Sequence, residues 1–66
     1  MTVTVNGRRQ AAPPGETVES LLERLGLAAQ YALVERNGEP IERSQYGDTP
    51  LVDGDTLVVA RPVAGG

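Results

Sequence analysis

An α+β fold, with a mixed sheet of four to five strands and one main helix packed on one face, follows from three features of this 66-residue sequence. Thr2-Val3-Thr4-Val5 and the stretch Thr56 to Pro62 alternate in the two-residue rhythm of strands with one buried face. Asn6-Gly7 and Asn37-Gly38 supply the residue pair that tolerates positive φ in tight hairpins. Val18, Leu21, Leu22 and Leu25 fall at i, i+3, i+4 and i+7, a single apolar stripe of helical period.

Taken in order, the first strand turns at Asn6-Gly7 and returns as an edge-like strand over Arg8 to Ala12. Pro13-Pro14-Gly15 ends it, because proline cannot donate to a ladder. Thr17 is the expected helix N-cap, and Glu16 and Glu19 suit the positive end of the helix dipole. Gly26 fits the left-handed position after the last turn, with Leu27 folding back onto it. Two to three turns are too few for an isolated helix, so it must lie on the sheet. Tyr31 to Arg36 is expected as a strand, Pro40-Ile41 as the start of a short edge strand, and Arg43 to Pro50 as loop or a single helical turn. Asp53-Gly54-Asp55 is a turn leading into the last strand. There Leu57 and Val59 share one face and Val58 and Ala60 the other. A hairpin, a helix crossing one face and a final strand returning to the middle of a mixed sheet describe the β-grasp. Residues 1–62 form that domain, and residues 63–66 are expected as a flexible C-terminal tail ending in Gly65-Gly66.

Composition limits what such a domain can do. A chain of this size buries only about 60% of the surface its unfolded form exposes. With no cysteine, neither disulfides nor a thiolate metal site can staple it. Seven Leu, eight Val and one Ile, without Phe or Trp, imply an aliphatic core and little room for an internal ligand. The net charge is −3 and the six Arg are scattered, with too few aromatic residues for stacking platforms, which argues against nucleic acid. No apolar run approaches the ~20 residues that span a membrane. The first residues lack the basic and apolar regions of a signal peptide, so a cytoplasmic protein is expected.

The chemistry is constrained by what is missing. There is no His and no Cys, hence no ready acid–base switch and no strong nucleophile. The acidic residues are spread along the chain; Glu35 with Glu42, or Asp53 with Asp55, is better explained as solvated surface than as a catalytic pair. Asp53-Gly54-Asp55 lacks the six or more oxygens of a calcium site. No catalytic residue, no metal ligand and no bound cofactor are therefore expected. The distinctive group is the end of the chain. Gly65 and Gly66 have no side chains, so they can lie extended in a channel where a Cβ would clash, and present a carboxylate to another protein. The plain alternative is a frayed tail without function.

Residues along the whole chain carry a resemblance to a known family. They are Asn6-Gly7, Gly15-Glu16-Thr17-Val18, Leu21-Leu22, Val34-Glu35-Arg36-Asn37-Gly38, Arg43-Ser44-Gln45-Tyr46, Leu51-Val52-Asp53-Gly54-Asp55 and Val63-Ala64-Gly65-Gly66. Together they resemble the ThiS family, ubiquitin-like β-grasp sulfur carriers of thiamine biosynthesis, with Tyr46 where the family often shows Trp. The resemblance implies that an adenylyltransferase of the ubiquitin-activating type uses ATP and magnesium to activate Gly66. It implies sulfur delivery from a cysteine desulfurase or similar persulfide donor, and use of the resulting thiocarboxylate by thiazole synthase. Gly66 carries over as the modified residue, Gly65 as its required neighbour, and Val63 and Ala64 as part of the recognised tail.

Such carriers are expected to dock through the sheet face away from the helix. Here that face should include Val58 and Ala60, with Leu33 or Arg61 nearby; the alternative is that these are merely strand-formers tolerated on a surface. The nearest rival is the small subunit of molybdopterin synthase, similar at Pro62-Val63-Ala64-Gly65-Gly66 but usually longer before the last strand. A ubiquitin-like modifier of lysines and a binding module with an incidental tail are the other readings.

Overall fold

The structure is a computed structural model that describes residues 1–61. Five strands form one mixed sheet: β1 (Thr2–Val5), β2 (Arg8–Ala11), β3 (Leu33–Arg36), β4 (Glu39–Ile41) and β5 (Thr56–Ala60), in the order β2-β1-β5-β3-β4. The helix α1 (Val18–Arg24) crosses one face. β1 pairs antiparallel with β2 and parallel with β5, while β3 pairs antiparallel with both β4 and β5. The last strand therefore occupies the middle, and the two hairpins flank it.

Both hairpins turn on Asn-Gly. Asn6 and Gly7 have φ of 50° and 82°, and Asn37 and Gly38 have 52° and 86°, the double positive-φ signature of the turn whose twist matches the strands. The helix is seven residues long and depends on packing. Val18, Leu21 and Leu22 are fully buried against Val3, Val5, Val34, Leu57 and Val59 of the sheet. Its start is a capping box: Thr17 Oγ1 accepts from the Ser20 N–H at 3.1 Å, and Ser20 Oγ accepts from the Thr17 N–H at 2.8 Å. At its end Gly26 has φ of 76°; Leu27 N–H donates to Leu22 O at 2.8 Å and Gly26 N–H to Glu23 O at 3.0 Å. These two bonds satisfy carbonyls the helix would otherwise leave free.

Two features on either side of the helix differ from the sequence expectation. The strand expected from Tyr31 begins at Leu33, because Ala29–Tyr31 closes a 3-10 turn in which Tyr31 N–H donates to Ala28 O and Ala32 N–H to Ala29 O. That turn leaves Tyr31 exposed and buries Ala32. Glu16, expected to act through the helix dipole, is instead buried and accepts from Arg24 Nε at 2.9 Å. Arg24 also donates to Ala11 O at 3.0 Å, so one side chain ties the end of β2 and the entry of α1 to the last helical turn.

The Arg43–Asp48 segment, expected as loop or one helical turn, is 3-10 helix and delivers Tyr46 into the core. With no Phe or Trp, Tyr46 is the one large ring among the buried residues, and its hydroxyl donates to Ala32 O at 2.7 Å. Tyr46→Phe leaves the Ala32 carbonyl without that donor. It should lower unfolding stability by about 1–3 kcal/mol in urea melts at an unchanged m value. A variant as stable as the parent would show that the bond contributes nothing net.

Candidate functional site

Strand alternation sorts the sheet into two faces. On the helix side lie Val3, Val5, Val34, Leu57 and Val59, all buried. On the other side, β5 presents Val58 and Ala60, and β3 presents Leu33 and Glu35. Cross-strand register sets Ala60 opposite Leu33 and Val58 opposite Glu35. Leu33 is 54% exposed and Val58 49%, a large exposure for aliphatic side chains on strands paired on both sides. Three of the residues expected on a docking face, Val58, Ala60 and Leu33, are thus brought together as a short apolar strip with one carboxylate at its flank. Arg61 is exposed immediately after the end of β5, where the alternation no longer assigns it to a face.

This strip leads along β5 toward the chain end. Gly66, Gly65, Ala64 and Val63, the expected working residues, lie outside the described residues together with Pro62. The expected boundary between a 1–62 domain and a 63–66 tail falls there too.

Polar side chains inside the domain are engaged in holding turns. Asp55, grouped with the solvated acids from sequence alone, is buried. Its carboxylate accepts from the Val52 N–H at 2.8 Å and from Asn37 Nδ2 at 3.0 Å, with Arg36 Nε 3.7 Å away. Asp53 accepts from the Thr2 N–H at 2.7 Å, which fastens the same turn to β1. Both oxygens of the Asp55 carboxylate are engaged in these bonds, whereas Asp53 is exposed and engages one. Among the described residues, no buried side-chain nitrogen or oxygen lacks a hydrogen-bond partner, and no three acids cluster as a metal would need. Among the described residues no helix is long and apolar enough to cross a membrane. An open groove between α1 and the 3-10 segment is lined by Glu19, Glu23, Leu27, Arg43 and Tyr46; its carboxylates lie at the surface.

Sequence reasoning missed one set of residues that shapes the site. Asn6 and Asn37 were visible as turn formers, but each also hydrogen-bonds β5 through its carboxamide. Asn6 Nδ2 donates to Val59 O at 3.0 Å and Asn6 Oδ1 accepts from the Val59 N–H at 2.8 Å. Asn37 Oδ1 accepts from the Thr56 N–H at 3.0 Å. An Asn rather than Asp or Gly at the first turn position was the only available signal, and it does not name the strand being held.

Comparison with known proteins places this architecture. The model of the ThiS family matches residues 3–66. A crystal structure of a thiamine biosynthesis protein, ThiS, from Geobacter metallireducens is 36% identical, covers all of both chains and superposes with a TM-score of 0.84. A solution NMR structure of a thiamine biosynthesis protein from the same organism is 38% identical with a TM-score of 0.78, over all of this chain and 88% of that one. Among curated proteins, thiazole synthases of Paramagnetospirillum magneticum and Magnetococcus marinus are 35% and 36% identical over 66 residues. The chain spans only 20% of the length of each. A family match over nearly every residue, together with the five-stranded sheet and its single crossing helix, means that the chain belongs to the ThiS family.

Proposed function

We propose that the chain is a sulfur carrier of thiamine biosynthesis that performs no catalysis itself and works as the co-substrate of partner enzymes. Its reactive group is the carboxylate of Gly66. The observation that carries this reading is the family match, which runs through Gly65 and Gly66 and not only through the folded body. The chemistry fits the residues present. A carboxylate is a poor electrophile, and this chain has no His or Cys with which to activate it. Activation must come from outside.

In the first step a Gly66 carboxylate oxygen attacks the α-phosphorus of ATP, with magnesium, in a ubiquitin-activating-type adenylyltransferase. Pyrophosphate leaves and an acyl adenylate forms. A sulfur nucleophile then adds at the carbonyl carbon and AMP departs with the electron pair of the broken C–O bond. If the nucleophile is a persulfide from a cysteine desulfurase, the product is an acyl disulfide, which a second thiol cleaves to release the thiocarboxylate. Thiazole synthase takes the sulfur. The curated relatives support that last assignment, since in each the stretch similar to this chain is a fifth of a protein named thiazole synthase.

The chain's own contribution is recognition. Gly65 and Gly66 leave nothing projecting from the last two residues, so the end can enter a narrow catalytic tunnel. Val58, Ala60 and Leu33 offer an exposed apolar strip on β5 and β3, with the exposed Arg61 following β5 in sequence, as the docking surface for activating enzyme and synthase. Both partners must reach the same chain end, so both are expected to use the face that leads to it.

Incubation with a cognate adenylyltransferase, ATP, magnesium and a sulfur source should raise the intact mass by the replacement of one oxygen by sulfur at Gly66. Gly66→Ala should give little or no product, because its methyl group meets the tunnel wall. Normal loading of protein truncated before Gly65 would falsify the assignment. For the docking strip, Val58→Lys is the suitable probe, since Asp at this position would face Glu35 across the strands whereas Lys is attracted to it. Val58→Lys should stay within about 1 kcal/mol of the parent in stability. It should raise the KM for the carrier about tenfold or more in adenylation. An unchanged KM removes Val58 from the interface.

A further inference from the structure

We propose that the outer edge of β2 is a pairing surface for a second copy of this chain, and that Arg24 keeps it closed by occupying the backbone carbonyl that pairing needs.

The sheet has two edges, β2 and β4. Pairing with another chain uses the N–H and C=O groups that an edge strand directs away from its neighbour. In an antiparallel ladder, residues that exchange both bonds with the neighbour alternate with residues whose groups point outward. On β4, Glu39 pairs with Arg36 next to the Asn37-Gly38 turn and Ile41 pairs with Val34, so the outward residue is Pro40. Proline has no N–H to offer, and that edge is blunt. On β2 the phase is set where Ala12 meets Met1. Ala12 N–H donates to Met1 O at 2.8 Å, and the Met1 ammonium donates to Ala12 O at 3.0 Å. The register then makes Val3–Gln10 and Val5–Arg8 the bonded pairs and turns the backbone groups of Arg9 and Ala11 outward. Both residues are exposed.

Arg9 and Ala11 form a self-complementary set. A second copy running antiparallel, with Gln10 opposite Gln10, sets each Arg9 opposite the other copy's Ala11 about a two-fold axis. Each such pair can exchange N–H···O bonds in both directions. No arginine of β2 lies directly opposite another, because Arg8 then faces Ala12. This register requires the Ala11 carbonyl, and Arg24 Nη2 already donates to it at 3.0 Å. The guanidinium is anchored, since Nε donates to Oε1 of the buried Glu16 at 2.9 Å. Arg24 therefore lays a fixed charge across the edge, at the point where an incoming strand must bring its N–H. An uncovered edge is a template for association, and a charged side chain laid over it is an effective guard.

Sedimentation equilibrium of the parent and of Glu16→Gln/Arg24→Leu, up to about 1 mM protein, checks this. Changing both residues avoids leaving a buried carboxylate without its partner. Amide exchange of Arg9, Gln10 and Ala11 is read by NMR at low and high concentration. The parent should stay monomeric, with exchange independent of concentration. The double variant should approach about twice the monomer mass, and its Arg9 and Ala11 amides should slow about threefold or more at the higher concentration. Gln10, already bonded to β1, should change less. Adding Arg9→Pro removes an outward N–H while sparing the β1 ladder, and should return the double variant to monomer. If circular dichroism shows the double variant unfolded, Arg24→Lys takes its place. Lysine keeps a cation beside Glu16 but lacks the fork that also reaches Ala11 O, so it should dimerise in the same way. A folded variant that stays monomeric overturns the proposal, as does a parent that already pairs through β2. Association that survives Arg9→Pro also overturns it, by placing the contact elsewhere.

Discussion

The structure depends on keeping β5 in the centre of the sheet. It is the last strand in sequence, yet it pairs with β1, which begins at Thr2, and with β3. Central placement buries Leu57 and Val59 under the helix and turns Val58 and Ala60 to the opposite face. It also requires that backbone groups near both ends of a five-residue strand find partners after the neighbouring strands have turned away. Asn37 and Asn6 meet that requirement at Thr56 and Val59. Each therefore does two jobs, adopting a conformation most residues avoid and reaching across to the central strand.

The remaining buried polar groups act similarly, as connectors between segments that share little apolar surface. Asp55 closes its own turn on Val52 and receives Asn37 from the β3–β4 hairpin. Glu16 and Arg24 join the helix to the end of β2, and the Leu51 N–H donates to Glu16 O at 2.8 Å. In a domain with a thin aliphatic core, such bonds fix which arrangement is adopted even when each one's net contribution is only about 0.5–1.5 kcal/mol. They also account for the two buried carboxylates. Asp55 and Glu16 are committed to structure.

The two faces of the sheet divide the work. The helix face supplies cohesion through Val, Leu and Tyr46, whose hydroxyl reaches Ala32 O. The open face keeps Val58, Ala60 and Leu33 exposed although β5 and β3 are both inner strands.

Much of this was legible in the residues. The Asn-Gly pairs, the Val18–Leu25 stripe with Thr17 before it and Gly26 after it, and the alternation of Leu57, Val58, Val59 and Ala60 are local patterns, set by backbone sterics and side-chain period. They determined the sequence of elements along the chain and which residues of β5 share a face. The tertiary structure alone decided the rest. Whether Tyr31 joins β3 or ends a 3-10 turn, whether Glu16 serves the dipole or Arg24, and whether Asp55 is solvated or buried depend on groups far apart in sequence. The same is true of Asn6, whose partner Val59 stands 53 residues away. A local pattern records what a residue's own backbone can adopt; the hydrogen bonds its side chain makes are fixed only when folding brings a distant strand within about 3 Å.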